Sequence, residues 1–340
     1  MFKVRSAGKP WLAAVVCAAA LVSHACSRSA IPADVGNREF QTLIDSMSEA
    51  PGSFTLSDNL VSNEPRFADR IRWLRPTGGA YVGVGPEQNF SYIAALRPSI
   101  AFIVDIRREN LALHLLYKAL FELSTDRVDF VSRLFSRSRP PGLPSSATVD
   151  EIFARYDALA ASPELLARNA ALVRERLLVV RGLSLPQSDL DWIAHVLDTL
   201  FTEGPKIDYY GSSRVDAIRP SYQDLMTARD VTGRHRSFLA TDEAFLFVKD
   251  LQSRNLIVPV VGDFGGATAL RRVGDYVRQR SGHVRAVYAS NVGAYLTNQK
   301  RYAFCGNLAT LPAPPRAWFI ESDGMQTLGT RLRVCAAEGK

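Results

Sequence analysis

The sequence GAYVGVGPEQNF at residues 79–90 is followed, after one helix-length, by AFIVD at residues 101–105. This pattern predicts a strand, a glycine turn, a helix and a second strand that ends in a carboxylate. Glycines let the backbone approach a ligand closely, and an acid about 20 residues further on accepts hydrogen bonds from ribose hydroxyls. The stretch therefore predicts one nucleoside-binding half of an α/β domain.

The residues of the turn limit the kinds of ligand that it could bind. A dinucleotide turn of the form G-x-G-x-x-G needs a third glycine at position 88, where this chain has Gln88. Glu87 would repel a pyrophosphate, whereas a sulfonium or an ammonium group tolerates a nearby acid. The ligand-binding residues that we expect in this half are Gly83, Gly85, Glu87, Gln88, Asn89 and Asp105.

At these residues the chain resembles the class I S-adenosylmethionine-dependent methyltransferase superfamily, whose first motif is a strand running into G-x-G-x-G. Gly83 and Gly85 match the first two glycines, and Asp105 matches the acid that holds the ribose. The family's third glycine falls on Glu87, and its acid before the first glycine falls on Tyr81. The segment is also similar to a bacterial branch of exported methyltransferase-like proteins, which implies a Rossmann-like fold but no reaction.

The second half of the sheet is predicted from two further apolar runs. Residues 255–266 read NLIVPVVGDFGG and end at Asp263, while residues 283–291 read HVRAVYASN and end at Ser290 and Asn291. Because the carboxyl ends of parallel strands share one edge of a sheet, these side chains and Asp105 should face one ligand crevice. Any one of them could equally cap the helix that follows. The sequence predicts an α/β fold with a doubly wound, mostly parallel sheet and a helical insertion.

The order of the patterns gives the domain organisation. A breaker-rich loop ends in the capping box Thr148 to Glu151, and Ser162 precedes a proline, so helices should follow both. The polar, aromatic segment 202–240 is either a lid over the sheet edge or a plain surface connection. We expect a signal peptide (1–25), an N-terminal extension (26–75), the first sheet half (76–124), the helical insertion with its polar loop (125–240) and the second sheet half (241–335).

The N-terminus has the pattern of a secretory signal. Three basic residues precede the apolar run 11–22, which small residues follow; a membrane-spanning helix needs about 20 apolar residues. The sequence predicts export, either as a free periplasmic protein or as one anchored to the membrane by lipid at Cys26. In such an oxidising compartment Cys305 and Cys335 either form a disulfide bond or remain separate buried thiols, and the sequence leaves both alternatives open.

Charge and motif content exclude several classes of protein. The chain has 41 basic and 34 acidic side chains, a net charge of +7, and without the signal peptide the charge falls to +4. No basic block with interleaved aromatic residues is present, so we expect no nucleic-acid partner. The zinc motif H-E-x-x-H, paired Cys-x-x-Cys and the hydrolase motif Gly-x-Ser-x-Gly are also absent, and we expect no metal.

Two histidines are candidates for binding a ligand or a metal ion. His114 recurs with Lys118 and Glu122 every four residues, which predicts the solvated stripe of a helix. His195, between Asp191 and Asp198, is predicted to lie on an ordinary charged face because no further His or Cys motif joins it.

Two functions from different classes remain. The first is a methyltransferase-like protein that binds S-adenosylmethionine or a related nucleoside, with Asp263 and Asn291 near the reacting group; if the protein is an enzyme, it is a methyltransferase. The second is a non-catalytic envelope scaffold that binds a partner and keeps only the fold. Export favours the second, because S-adenosylmethionine is made in the cytoplasm, so the predicted cofactor is S-adenosylmethionine or none.

Overall fold

A computed structural model describes residues 1–2, 30–54, 58–212 and 219–338. Cys26 and nearly all of the predicted signal peptide lie outside these residues. Within the part of the chain that the structure describes, none of the helices has the length and apolar character needed to cross a membrane.

The described residues include six strands and fourteen α-helices, together with a π-helical turn (Arg176–Val180) and a 3-10 turn (Gly204–Lys206). The strands are β1 (Ala80–Gly83), β2 (Ile100–Asp105), β3 (Ile257–Val261), β4 (Val284–Ser290), β5 (Trp318–Glu321) and β6 (Met325–Thr327). The helices are α1 (Asn37–Met47), α2 (Phe67–Ile71), α3 (Gln88–Leu96), α4 (Arg108–Leu123), α5 (Arg127–Leu134), α6 (Val149–Asp157), α7 (Pro163–Glu175), α8 (Gln187–Glu203), α9 (Tyr222–Thr227), α10 (Asp242–Ser253), α11 (Ala269–Gln279), α12 (Val292–Tyr295), α13 (Asn298–Thr310) and α14 (Leu328–Glu338).

The strands form one sheet in the order β3-β2-β1-β4-β5-β6. The first five are parallel, and β6 pairs antiparallel with β5. Every residue of β1, β2 and β3 is buried, as expected of apolar runs covered on both faces. The α/β class and the mostly parallel sheet are therefore confirmed. The chain runs from β1 outward to β3 and then returns to β4, so the strand order reverses between β1 and β4.

Two groups of helices cover the sheet. Helices α3 and α4 both contact α10, whereas α1 and α13 both contact α11. Right-handed crossovers place the connections of the two sheet halves on opposite faces. The N-terminal extension is part of this arrangement, because α1 packs against β3 through buried residues such as Phe40 and Met47.

The region between α4 and α10 is largely helical. Helices α5 to α9 lie here, and α6 begins at the capping box that Thr148 forms with Glu151. Ser162 caps α7, whose first residue is the proline. Helices α5, α7 and α8 pack on α4, so this region covers the outer side of that helix.

The predicted solvated stripe of α4 is wrong. The side chains of Lys118 and Glu122 are only 1% and 3% exposed, and His114 is also buried. Separate parts of the fold cover this stripe. The turn after β1 contacts His114, helices α10 and α1 contact Lys118, and the segment after α7 contacts Glu122. Lys118 Nζ lies 2.9 Å from Glu122 Oε1, and Arg181 adds a second cation at 2.8 Å. One buried carboxylate is therefore shared by two cations.

A disulfide bond joins Cys305 on α13 to Cys335 on α14. This is one of the two states that the sequence leaves open. The bond fixes the last helix of the described chain to α13, the helix that precedes β5.

Candidate functional site

A pocket of about 280 Å³ opens at the carboxyl ends of the strands, beside the point where the strand order reverses. The segments that follow β1, β2, β3 and β4 all contribute to its wall. In open parallel sheets this is where ligands bind. The strand-end residues that the sequence assigns to this edge all line the pocket: Asp105, Asp263, Ser290 and Asn291.

The two glycines of the turn after β1 have different surroundings. Gly85 lines the pocket with φ of +78°, and the space where a Cβ would stand is open. Gly83 lies below the pocket wall, and a Cβ there would stand 1.9 Å from Asn89 Oδ1. Gly85 therefore leaves room for a ligand, whereas Gly83 leaves room for Asn89.

Asn89 holds the turn from beneath. Its amide nitrogen donates to the carbonyl oxygens of Val84, Gly85 and Pro86 at 2.8–3.0 Å, and its Oδ1 accepts from the Tyr81 hydroxyl at 2.9 Å. Its side chain is fully buried and does not line the pocket. Tyr81 stands where the resembled family has an acid, and here its hydroxyl orders the turn through Asn89.

His114 also supports the turn. Its Nε2 donates to the Gly85 carbonyl at 2.9 Å, which leaves Nδ1 as the unprotonated nitrogen. Burial lowers the pKa of His114 to about 4, so the imidazole is neutral at neutral pH.

Glu87 does not face the pocket either. It is completely buried, and both carboxyl oxygens accept from the Ser62 amide, at 3.1 and 3.3 Å. Burial raises the pKa of Glu87 to about 8. The residue is therefore mostly neutral at pH 7, and the argument that its charge repels a phosphate does not hold.

Gln88, predicted to contact the ligand, instead belongs to a buried network centred on Glu64. Its Nε2 donates to Glu64 Oε2 at 3.2 Å and to the Tyr288 hydroxyl at 3.1 Å. Arg70 Nη2 lies 2.6 Å from the same oxygen of Glu64. The other oxygen, Oε1, accepts from the Tyr288 hydroxyl at 2.9 Å and from Ser290 Oγ at 2.5 Å. Glu64, Tyr288 and Ser290 also line the pocket, so this network forms part of its wall.

Asp105 ends β2 and is paired with Arg107. Asp105 Oδ1 accepts from the backbone nitrogen of Arg107 at 2.9 Å and from its Nε at 3.2 Å. Oδ2 has only a long contact of 3.4 Å with Arg107 Nη2. Since Asp105 lines the pocket, Oδ2 keeps capacity to accept a hydrogen bond from a ligand.

Asp263 ends the segment after β3 and is paired across the pocket mouth. Its Oδ2 lies 2.6 Å from Lys300 Nζ at the start of α13, and Oδ1 accepts from the Gly265 amide at 2.8 Å. Glu64 and Asp105 are likewise paired, with Arg70 and Arg107. Each of the three carboxylates on the pocket wall therefore has its own cation.

The helix start next to Asp263 is occupied by a side chain of the protein. Glu49, just after α1, accepts from the backbone nitrogens of Thr268 and Ala269 at 2.5 and 2.8 Å. Its other oxygen accepts from the Asp263 amide at 3.3 Å. Amides at a helix start are the groups that commonly bind a phosphate. At α11 they already hold a carboxylate.

The segment predicted as a lid contributes in part. Tyr209 lines the pocket, whereas residues 213–218 lie outside the described residues. Further on, His235 packs away from the pocket wall, with Nε2 3.0 Å from Asp150 Oδ2 and Nδ1 2.9 Å from the Thr227 carbonyl.

Histidine-based metal binding gains no support. His195 Nε2 lies 3.2 Å from Asp58 Oδ2 on the surface. Within the described ranges, no group of three or more His, Cys, Asp or Glu side chains is arranged to hold a metal ion.

Comparison with known families places the chain. The model of a family described as Domain of unknown function (DUF7790) matches residues 59–176 and 206–323. The chain belongs to this family. No curated protein matches it.

The DUF7790 match covers the pocket-lining residues from Asn59 to Lys300. Glu49 and Phe54 precede it. Sequence reasoning missed Glu64, Arg107 and Lys300 as pocket residues. Arg107, two residues after a strand-end acid, could have been found from its position; Glu64 and Lys300 approach from other segments and have no local signal.

Proposed function

We propose that the pocket of this DUF7790 protein binds a nucleoside without phosphate groups, with S-adenosylmethionine as the leading candidate, on a Rossmann-like, methyltransferase-like domain. The strand order supports the fold assignment, because it reverses between β1 and β4 with the pocket beside that point. The glycine turn supports the ligand class, because Gly85 leaves open space at the wall.

The position of Asp105 carries the proposal. It ends the strand next to β1, lines the pocket and has one carboxylate oxygen with only a long contact. An acid at this place in a nucleoside-binding sheet accepts hydrogen bonds from ribose hydroxyls. Arg107 fixes the orientation of the carboxylate before a ligand arrives, which reduces the entropy lost on binding.

The absence of phosphate from the proposed ligand rests on Glu49 and on the paired charges. A phosphate at the start of α11 would have to displace the Glu49 carboxylate from its amides. Arg107 and Lys300 are already neutralised by Asp105 and Asp263. A nucleoside avoids both costs. For methyl transfer the protein needs chiefly to hold the two reactants in line, so the reaction requires no catalytic triad.

Titration calorimetry tests the proposal. The full chain without its signal peptide is titrated with S-adenosylmethionine, S-adenosylhomocysteine, adenosine and NAD. Loss of charge-assisted hydrogen bonds in Asp105→Asn should weaken nucleoside binding tenfold to 150-fold, or about 1.5 to 3 kcal/mol. Asp275→Asn, on the exposed side of α11, is the matched control and should bind like the wild type.

Two outcomes would contradict the proposal. No heat with any of the four compounds, under conditions that detect micromolar binding, would leave the envelope scaffold as the better function. Binding of NAD that exceeds adenosine binding would show that the phosphates are accommodated.

Export of the protein is a separate proposal. Protein from the cell envelope that still begins at Met1 would argue against cleavage of a signal peptide. Loss of fatty-acid labelling in Cys26→Ser would select the lipid anchor over the free periplasmic form.

A further inference from the structure

The part of the pocket beyond β4, here called the outer half, has a different character from the part beside Asp105. It is lined by Phe54, Val292, Tyr295 and Leu296, with Asn291 at its inner end. The rings of Phe54 and Tyr295 meet edge to face, with centroids 5.3 Å apart. Aromatic side chains offer large apolar surfaces and favour offset-stacked or edge-to-face contacts with other rings. The outer half therefore suits a flat, apolar molecule.

Ser290 is the polar group between the two halves. It ends β4 with φ of +48°, a conformation that costs a non-glycine residue about 1 kcal/mol. Such strain is often found where a side chain must be aimed for function. The conformation places Ser290 Oγ 2.5 Å from Glu64 Oε1 and at the pocket wall.

The partners of Glu64 determine what Ser290 offers to a ligand. Arg70 holds Glu64 as an ion pair, so the carboxylate accepts and the Ser290 hydroxyl donates. A hydroxyl whose hydrogen is already donated presents its lone pairs elsewhere. Toward the pocket Ser290 is therefore a hydrogen-bond acceptor, and it selects a ligand group that carries a hydrogen.

We propose that the outer half binds the methyl acceptor, a small aromatic molecule with a hydroxyl or amine group, and that Ser290 takes the proton of that group. This inference rests on the proposed function for the donor. Ser290 is the catalytic residue because it touches the acceptor. Glu64 acts through Ser290 and is a positioning residue.

The step balances with S-adenosylmethionine as the methyl donor. A lone pair of the acceptor oxygen or nitrogen forms a bond to the methyl carbon as the carbon–sulfur bond breaks, and that electron pair stays on sulfur. The acceptor's proton moves to Ser290 Oγ while the proton of Ser290 moves to Glu64 Oε1. The sulfonium loses its positive charge and Glu64 its negative charge, so the net charge of the pocket stays the same, and the positive charge that remains is that of Arg70 beside the protonated Glu64.

The first experiment uses NMR titration of the full chain with 4-methylphenol and with its methyl ether, 4-methylanisole. The two differ in the hydrogen that Ser290 would accept. We expect the phenol to bind the wild type about fivefold more tightly than the ether, the effect of one hydrogen bond. Ser290→Ala should remove this difference, and Tyr295→Leu should weaken both ligands. Ser253→Ala, at the exposed end of α10, is the control and should preserve the difference.

The second experiment follows methyl transfer from S-adenosylmethionine to 4-methylphenol between pH 6 and 9. Glu64→Gln removes the final proton acceptor and should lower kcat at least tenfold with little change in the KM of the phenol, while Glu64→Asp should restore part of the rate. A purely structural role of Glu64 would instead reduce the affinity for both substrates or the folded fraction.

The outcomes separate this inference from the proposed function. Equal binding of phenol and ether to the wild type, or no binding of either by a protein that does bind S-adenosylmethionine, would overturn the acceptor site and leave the proposed function intact. Ser290-dependent phenol binding by a protein that ignores S-adenosylmethionine would support the subsite and overturn methyl transfer.

Discussion

The helix that follows β1 and the helix that follows β3 each have a carboxylate at their start, Glu87 at α3 and Glu49 at α11. The two carboxylates differ in their burial and in their pKa. Glu87 is fully buried with one backbone partner, Ser62, besides its own amide, and burial raises its pKa to about 8. Glu49 is half-buried; burial opposes ionisation, but hydrogen bonds from Thr268, Ala269 and Asp263 lower its pKa. Complete burial with few donors keeps Glu87 neutral, whereas partial burial with more donors keeps Glu49 charged, so burial and donors together, and not the helix start, decide which acid is charged.

This difference gives the two turns different roles. The turn after β1 is sealed by a neutral side chain and reaches the pocket only through Gly85 and its neighbours. The turn after β3 is filled by the charged side chain of Glu49. The sequence argument against a phosphate was based on Glu87, whereas the proposal of a ligand without phosphate rests on Glu49, which accepts from the amides at the start of α11.

The largest effect is expected from Gly83→Ala in the first turn. The new Cβ would stand 1.9 Å from Asn89 Oδ1, in the middle of the hydrogen bonds that hold the turn. Overpacking and a lost buried hydrogen bond together should cost about 3 kcal/mol of unfolding free energy. Urea unfolding measures it. Gly293→Ala, with open space at the Cβ position, is the control, and equal losses in both variants would contradict the packing role.

The next effect is the pH dependence that Glu87 causes. Its folded pKa of about 8 exceeds the unfolded value of 4.5, so the folded state keeps a proton that the unfolded state releases. The free energy of unfolding should therefore fall as pH rises from 4.5 to 8, with a slope of at most about 1.4 kcal/mol per pH unit from this group. Glu87→Gln, which is neutral throughout, should flatten this part of the stability profile. Exposed Glu175→Gln should not, and an unchanged slope in Glu87→Gln would refute the buried, neutral acid.

Glu49 should act in the opposite pH range. Its folded pKa lies below the unfolded value, so the stability that it provides is present above pH 4.5 and is lost as pH falls through the folded pKa. Glu49→Gln should cost about 1 kcal/mol at pH 7, the usual effect of losing a helix cap, and much less at pH 3. Asp45→Asn on neighbouring α1 is the matched control. A loss that is the same at both pH values would mean that Glu49 acts by packing alone.

The sheet could be predicted because its signals are local. The apolar runs of β1 to β4 and the strand-end residues Asp105 and Asp263 follow from short stretches of sequence, and parallel pairing brings their ends together. The stripe of α4 was misjudged because its burial depends on distant helices. A polar residue every four positions has the same pattern on a solvated helix and on one covered by other parts of the fold.

The pocket was predicted less completely than the sheet. Glu64 approaches from the segment before α2 and Lys300 from α13, so their contacts depend on how separate segments pack. Asn89 was predicted as a ligand contact because a turn amide next to glycines can face either way. In the folded chain its side-chain amide donates three hydrogen bonds to carbonyls of the same turn and so points away from the pocket. The sequence alone does not show these contacts.

The smallest effect is expected from phosphate at the two helix starts, and it tests the difference between Glu49 and Glu87 most directly. Removing a carboxylate exposes the helix-start amides to solvent only where the turn is open, which is the case for part-buried Glu49 and not for Glu87. Phosphate should therefore stabilise Glu49→Ala relative to chloride of equal ionic strength, by about 0.4 kcal/mol when its concentration equals the dissociation constant. The wild type and Glu87→Ala should show no such gain in thermal unfolding. A gain in Glu87→Ala would mean that the turn after β1 also admits anions, and a gain in the wild type would mean that phosphate displaces Glu49 and that phosphorylated nucleosides must be reconsidered as ligands.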